Sequence, residues 1–241
     1  MPLKLLYQDE YFIAVNKPSG FHVHPHEEKR HRVSRDLVCL YHAREMMGQF
    51  VYPVHRLDAG TSGVLLFALS SPAAGMLCKM FENKGIQKTY HAVARGYVPE
   101  EGEITLPLEL DSTGDLVEAR TFYRRLATVE LPVSVTPRFP TARYSLVEAK
   151  PLTGRWHQLR RHFNRISHPL IGDGDHGDSK HNRFFRNELG VAGLCLKAQS
   201  LEFPHPWSGD RVHIEAPACE KWRRIAGIFQ ASKFEVKETP E

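Results

Sequence analysis

The segment Val54-His55-Arg56-Leu57-Asp58-Ala59-Gly60-Thr61-Ser62-Gly63 sets one carboxylate in a polar loop with two glycines, directly before the apolar run Val64 to Leu69. A carboxylate at the edge of a rigid buried strand is fixed in place and partly desolvated, which suits a nucleophile. The plainer reading, favoured by composition alone, is a turn in which Asp58 caps backbone amides. Three more segments carry reactive side chains. Lys88-Thr89-Tyr90-His91-Ala92-Val93 sets a tyrosine among small residues, where it could equally be a core aromatic. Thr153-Gly154-Arg155-Trp156-His157-Gln158-Leu159-Arg160-Arg161-His162 packs hydrogen-bond donors into a helix start. Leu194-Cys195-Leu196-Lys197-Ala198, followed by Phe203-Pro204-His205-Pro206, closes the set.

Other groupings have plainer explanations. His22, His24, His26 and His31 lack a cysteine or carboxylate to complete a metal set, so a solvated loop is expected and no metal. Asp173-Gly174-Asp175-His176-Gly177-Asp178 has its Gly177 and Asp178 in the wrong order for a calcium loop, and Phe184 stands where the closing Glu belongs. Cys39, Cys78, Cys195 and Cys219 form no CxxC pair and read as reduced, buried small hydrophobes. No GxxxxGK[ST] loop is present, and no nucleotide cofactor is expected.

These segments need a scaffold, and the 241 residues suffice to bury one core without disulfide or metal. Hydrophobic residues at 41% and charged residues at 25% are ordinary for a globular protein. The longest apolar run falls far short of the ~20 residues that span a membrane, and the N-terminus shows no cleavable signal pattern, so a cytoplasmic protein is expected. The net charge of +4 is small. Yet residues 151–186 carry seven Lys/Arg and three Asp, a local surplus equal to that of the whole chain. With Lys29-Arg30-His31-Arg32 and Arg35, this cluster fits a phosphate-contacting surface.

Strand-like alternation and helical periodicity interleave. Leu3–Tyr7 and Tyr11–Asn16 read as strands, and Ser34 caps a helix that Gly48 stops. Val64–Leu69 is a buried strand, followed by a helix with Ser71 as N-cap, Pro72 in its first turn and Gly85 at its end. Further strands are expected over 88–97, 119–128, 143–150, 193–203 and 211–215. Trp156, Leu159, Phe163 and Ile166 recur at helical spacing. The expectation is an α+β fold, a mostly antiparallel mixed sheet with helices, in one domain over residues 1–232, with 233–241 a frayed tail.

The segments HRLDAGTSG, KTYHAVARG, LTGRWHQLRRH and LCLKAQSLEFPHP, with the early Asn16-Lys17-Pro18-Ser19-Gly20, resemble the RluA family of pseudouridine synthases over residues 3 to 216. The appended S4 RNA-binding domain of many relatives is not expected here. The double arginine of HQLRRH, the GDGDHGDSKHNR segment and LATVELPVSV…FPTARYSLVE resemble the branch that acts on tRNA at uridine 65. The resemblance implies that Asp58 is the catalytic carboxylate, Tyr90 the active-site tyrosine that packs on the base, and Arg160 the counter-charge. It implies that Arg56 fills the gap left by a flipped base. Arg155, His157 and Arg161 are candidate substrate contacts, with helix-ordering roles as the alternative for Arg155 and His157. The reaction is an isomerisation and demands no cofactor. A tRNA substrate, no membrane and a monomer complete the expectation. Competing readings are the same chemistry on ribosomal RNA, a non-catalytic RNA-binding module, and a hydrolase, which lacks the second carboxylate.

Overall fold

The computed structural model describes residues 3–25, 33–110 and 113–231. His26, His31, the basic run Lys29 to Arg32 and the tail 233–241 lie outside the described residues. In chain order come β1 (Lys4–Gln8), β2 (Phe12–Lys17), α1 (Cys39–Met47), β3 (Tyr52–Pro53), β4 (Ser62–Ala68), α2 (Ser71–Glu82) and β5 (Gln87–Arg95). Then follow β6 (Glu101–Ile104), β7 (Leu108–Glu109), β8 (Leu116–Val117), β9 (Thr121–Leu131) and β10 (Ala142–Pro151). The remainder is α3 (Gln158–Arg165), α4 (Ser179–Asn187), β11 (Leu196–Pro204), β12 (Arg211–Glu215) and α5 (Glu220–Ala231).

These elements gather into two compact units, one from the residues up to Tyr90 with Lys197–Pro217, the other from His91–Leu196 with the residues from Ala218 on. In the first, β4 is buried along its whole length because both of its faces are covered. Val64, Leu66 and Ala68 pack with Ala73 and Leu77 of α2 and with Phe203 and Ile214. Leu65 and Phe67 pack with Leu40 and Ala43 of α1. A strand covered on both faces reads as a continuous apolar run, which is why this one stood out. It pairs antiparallel with β2 from Phe12↔Ala68 to Lys17↔Gly63, and parallel with β11 at Lys197↔Ser62 and Ala198↔Gly63.

The second unit is built on the long antiparallel pair β9 and β10, with β6 on the other edge of β9. Its core joins Val93, Val129 and Tyr144 with Phe185 of α4 and Trp222, Ile225 and Phe229 of α5. The pairs β1–β2, β2–β4, β6–β9, β9–β10 and β11–β12 are antiparallel and β4–β11 is parallel, in keeping with the expected mixed, mostly antiparallel α+β fold.

Four expectations need correction. Ser34 makes no side-chain capping bond, and α1 starts only at Cys39, after Val38. Of the cysteines, Cys39 and Cys195 are buried, but Cys78 is only half-buried and Cys219 is exposed. The side chain that caps α2 is Ser70, accepting from the Ala73 amide, one residue before the serine the Ser-Pro pattern suggested. The helix of LTGRWHQLRRH starts only at Gln158, because His157 takes a left-handed backbone at φ 50°. Trp156 therefore leaves the apolar face on which its spacing placed it and is 45% exposed. The helices α4 and α5 were not foreseen; α4 is fixed by Asp178, whose carboxylate accepts the amides of Lys180 and His181.

Candidate active site

In the first unit the Asp58 loop is held from several directions. Lys17 closes β2 and is fully buried; its ammonium donates to the carbonyls of Pro18, Phe21 and Ala59 at 2.9, 2.6 and 2.9 Å. Three carbonyl acceptors replace the hydration that a buried ammonium loses. The Gly20 amide donates to the Ala59 carbonyl at 2.7 Å, and Ser19 Oγ to the Gly60 carbonyl at 2.7 Å. The Thr61 amide returns to the Asp58 carbonyl at 3.0 Å. Asn16-Lys17-Pro18-Ser19-Gly20 is thus a clamp on residues 58–61. Where the loop enters β4, Gly63 has φ 117°, and a Cβ there would lie 2.0 Å from the Ala198 carbonyl oxygen. Only glycine allows the parallel strand that close.

The side chains of HRLD divide cleanly. His55 accepts the Leu66 amide on Nε2 at 2.9 Å and stacks on Phe81 of α2 at 4.5 Å between centroids. Burial, with Lys88 nearby, lowers its pKa to about 3, so it stays neutral and serves as a brace between loop, strand and helix. Leu57 is buried in the α1-side core, Arg56 is exposed and Asp58 is half-buried. Tyr90 packs against the same core as Leu57. Burial, then the Asp58 carboxylate, push the Tyr90 pKa above its ordinary value. Asp58 and Tyr90 therefore share one electrostatic neighbourhood, and Tyr90 is held as a neutral phenol. A neutral phenol offers an aromatic face and a donor hydroxyl, and it is not a resting base. Burial also draws the Lys88 ammonium down to about 8.

In the second unit Arg160 rises from the first turn of α3 into a cradle of acceptors. Its Nε and one terminal nitrogen donate to the two Asp173 oxygens at 2.8 and 2.6 Å. The same nitrogen reaches Asp175 at 2.6 Å, and the other donates to His157 Nε2 at 2.5 Å. Burial alone would raise the Asp173 carboxyl, but Arg160 and the amides of His176 and Asp175 outweigh it and hold the pKa below the ordinary value. Gln158 ties down the loop before the helix: its Oε1 accepts from Thr153 Oγ1 and the Arg155 amide, while Nε2 donates to the Arg120 carbonyl and Thr121.

Three further arginines of the predicted cluster are engaged with backbone. Arg155 Nε donates to the Glu118 carbonyl, Arg161 to Glu109 and Arg165 to Pro107, so these side chains fasten the segment bearing β7 and β8 to α3. Arg183 and Arg186 of α4 are exposed. His157, Asp175 and His176 bring ligand atoms within 4.8 Å of one another. The donor set does not suit a cation. Arg160 is a donor only, so His157 Nε2 accepts and its proton sits on Nδ1, directed at His176 Nε2 at 3.1 Å. A metal would need that Nδ1 lone pair, beside a guanidinium.

Asp58 and Tyr90, both named in the sequence, lie close enough for the carboxylate to act on the phenol. Sequence reasoning missed Lys17 and His55 as braces of the Asp58 loop in the first unit, and Asp173 and Asp175 as partners of Arg160 in the second. The signals were a lysine ending the otherwise apolar strand FIAVNK, and acids following an arginine-rich helix.

A family model described as RNA pseudouridylate synthase matches residues 11–165. A protein of Vibrio vulnificus (strain CMCP6) named tRNA pseudouridine synthase C is 45% identical over 238 residues, covering 95% of this chain and 96% of that protein. One of the same name from Pasteurella multocida (strain Pm70) is 46% identical over 239 residues, covering 95% and 97%. Among solved structures, human RNA pseudouridylate synthase domain containing 4 shares the fold at a TM-score of 0.72 and 22% identity, over 94% of this chain and 93% of that one. Human RNA pseudouridylate synthase domain containing 1 does so at 0.70 and 23%, over 99% and 97%. A clamped carboxylate loop, a neutral tyrosine beside it and these matches together show that the chain belongs to the RNA pseudouridylate synthase family, of the RluA type.

Proposed function

We propose that this chain isomerises a uridine of tRNA to pseudouridine, with position 65 as the target. The observation that carries this reading is the likeness, at 45% identity and across nearly the whole chain, to proteins named tRNA pseudouridine synthase C. The reaction breaks the uridine N1–C1′ bond, turns the base and joins C5 to C1′; the C5 proton leaves and N1 gains one. Asp58 supplies the carboxylate, by attack on the sugar or by removing a sugar proton. Tyr90 packs on the base and donates from its protonated hydroxyl. Arg160 supplies positive charge from its cradle, and exposed Arg56 fills the gap in the stack once the base is flipped, recovering part of a cost of a few kcal/mol. Arg155, His157 and Arg161 line the approach of the RNA. No helix among the described residues is long and apolar enough to cross a membrane. The proposed setting is a monomer acting on tRNA in the cytoplasm.

The test is to incubate the protein with unmodified tRNA and, separately, with ribosomal RNA, and to map pseudouridine in both. Formation at tRNA position 65, abolished by Asp58→Asn with tRNA affinity retained, is expected. Pseudouridine only in ribosomal RNA would move the protein to the same chemistry on another substrate. Undiminished turnover by Asp58→Asn would remove Asp58 from the mechanism.

A further inference from the structure

Trp156 is an exposed indole with one face already committed. It stacks on His157 with centroids 3.6 Å apart and planes 16° from parallel, and meets the edge of His176 at 6.1 Å and 80°. Yet it remains 45% exposed. An indole so placed still presents a large aromatic surface to solvent, which is costly to leave unpartnered.

The surroundings make this indole rigid. His157 holds a left-handed backbone at φ 50°, a conformation uncommon for any residue but glycine. That conformation puts its ring parallel beneath Trp156 while its two nitrogens engage Arg160 and His176. Because His157 accepts from Arg160, the ring under the indole is neutral in this arrangement. On the other side, Gln158 pins the backbone of Arg155 and the Thr153 hydroxyl. An aromatic held this firmly loses little freedom on binding, which is how a stacking surface gains affinity. Its sequence neighbour Arg155 is exposed and uses Nε on the Glu118 carbonyl. A flat aromatic face next to a guanidinium matches a nucleotide, with a base for the one and a phosphate for the other.

We propose that Trp156 is a stacking platform for a nucleobase of the RNA substrate, with His157 and His176 as its supports. This rests on the proposed action on tRNA. The ligand is an unstacked nucleotide, since a paired base has no face free for an indole.

The test is equilibrium binding of an unmodified tRNA transcript across a salt series to wild type, Trp156→Ala, Trp156→Phe and Trp156→Leu, each checked by thermal unfolding. Trp156→Ala should bind about 5- to 150-fold more weakly, the range that one base–aromatic stack represents. Trp156→Phe should stay near wild type and Trp156→Leu should fall towards Trp156→Ala. The dependence of log Kd on log salt should keep its slope, because no phosphate contact is lost. Unaltered binding by Trp156→Ala, a leucine variant equal to the phenylalanine one, or a changed slope would each overturn the proposal. Should Trp156→Ala unfold, the phenylalanine and leucine pair still decides. Wild-type protein that modifies no tRNA would instead refute the proposed function.

Discussion

Lys17 Nζ donates to the carbonyl oxygen of Ala59, the residue directly after Asp58, at 2.9 Å. The end of β2 is thereby tied to the one loop that carries the candidate carboxylate. Lys17→Met removes the donor from three carbonyls at once, in a place closed to water. Leaving buried acceptors unsatisfied costs about 1–3 kcal/mol each where nothing replaces the bond, and local relaxation recovers part of it. The expected outcome is a loss of about 2–4 kcal/mol in denaturant unfolding, with single-turnover pseudouridine formation falling further than tRNA affinity. A variant with wild-type stability and rate would show that the clamp is dispensable.

Gly63 makes a second, purely steric demand on the same loop. Its φ of 117° is hostile to any side chain, and a Cβ would lie 2.0 Å from the Ala198 oxygen and 2.7 Å from the Ala198 carbon. The obstacle is the backbone of β11, which cannot swing aside as a flexible side chain would. Gly63→Ala should therefore destabilise by more than about 4 kcal/mol, well outside the usual range for a point change. Gly48→Ala is the comparison: it also has positive φ, at 63°, but nothing lies within 4 Å of a Cβ there. It should cost only the left-handed penalty, about 1–2 kcal/mol. Equal losses in the two variants, read from urea midpoints, would mean that the strand contact adds nothing.

How much of this was legible in the residues differs by feature. The buried strand Ser62–Ala68 announced itself as an apolar run, and Gly48 as a helix stop, because these are local consequences of burial and backbone freedom. The Asp58–Tyr90 neighbourhood was reached through motif resemblance, since 32 residues of sequence separate the two. What stayed hidden depends on the third dimension. His55 carried no assigned role in the sequence, because its character is set by Phe81 and the Leu66 amide, neither of them adjacent in sequence. Trp156 matched a helical stripe, and one left-handed residue at His157 broke the period. The basic surplus of 151–186 read as a phosphate footprint. Several of its guanidinium groups are instead engaged with Asp173, Asp175 and the carbonyls of 107–118, a pairing that no charge count reveals.

The cradle of Arg160 contains one buried and one exposed carboxylate, and the two should behave differently. The Asp173 side chain is 0% exposed and that of Asp175 is 63% exposed, against the same guanidinium nitrogen. Removing one member of a buried pair leaves an uncompensated charge and costs about 3–5 kcal/mol, whereas an exposed pair contributes about 0–1. Asp173→Asn should accordingly be severely destabilised and Asp175→Asn nearly neutral, as judged by thermal unfolding. Comparable Tm values for the two would place the stabilising partner of Arg160 elsewhere.

Acid should weaken the fold before any carboxylate protonates, and His55 is one reason. Its pKa in the folded chain is lowered to about 3 from an ordinary value of 6.5, first by burial and then by Lys88. Above pH 6.5 the imidazole is neutral whether the chain is folded or not, and it contributes no pH dependence. Below that value the unfolded chain binds a proton that the folded chain refuses, so stability falls with pH until about pH 3. By pH 5 the loss from this one group amounts to about 2 kcal/mol. His162 and His181 are shifted downward as well, mainly by burial, and add losses of the same sign. Asp173 acts in a separate, lower window. Its carboxyl is held below its ordinary value, so its contribution is intact above that value and disappears as pH drops through the folded one. His55→Gln retains an oxygen that can accept the Leu66 amide and removes the titration. Urea unfolding at pH 7 and pH 5 should show the variant losing about 2 kcal/mol less than wild type over that interval. The same loss in both proteins would mean that His55 takes up its proton in the folded state and is not the neutral brace its contacts describe.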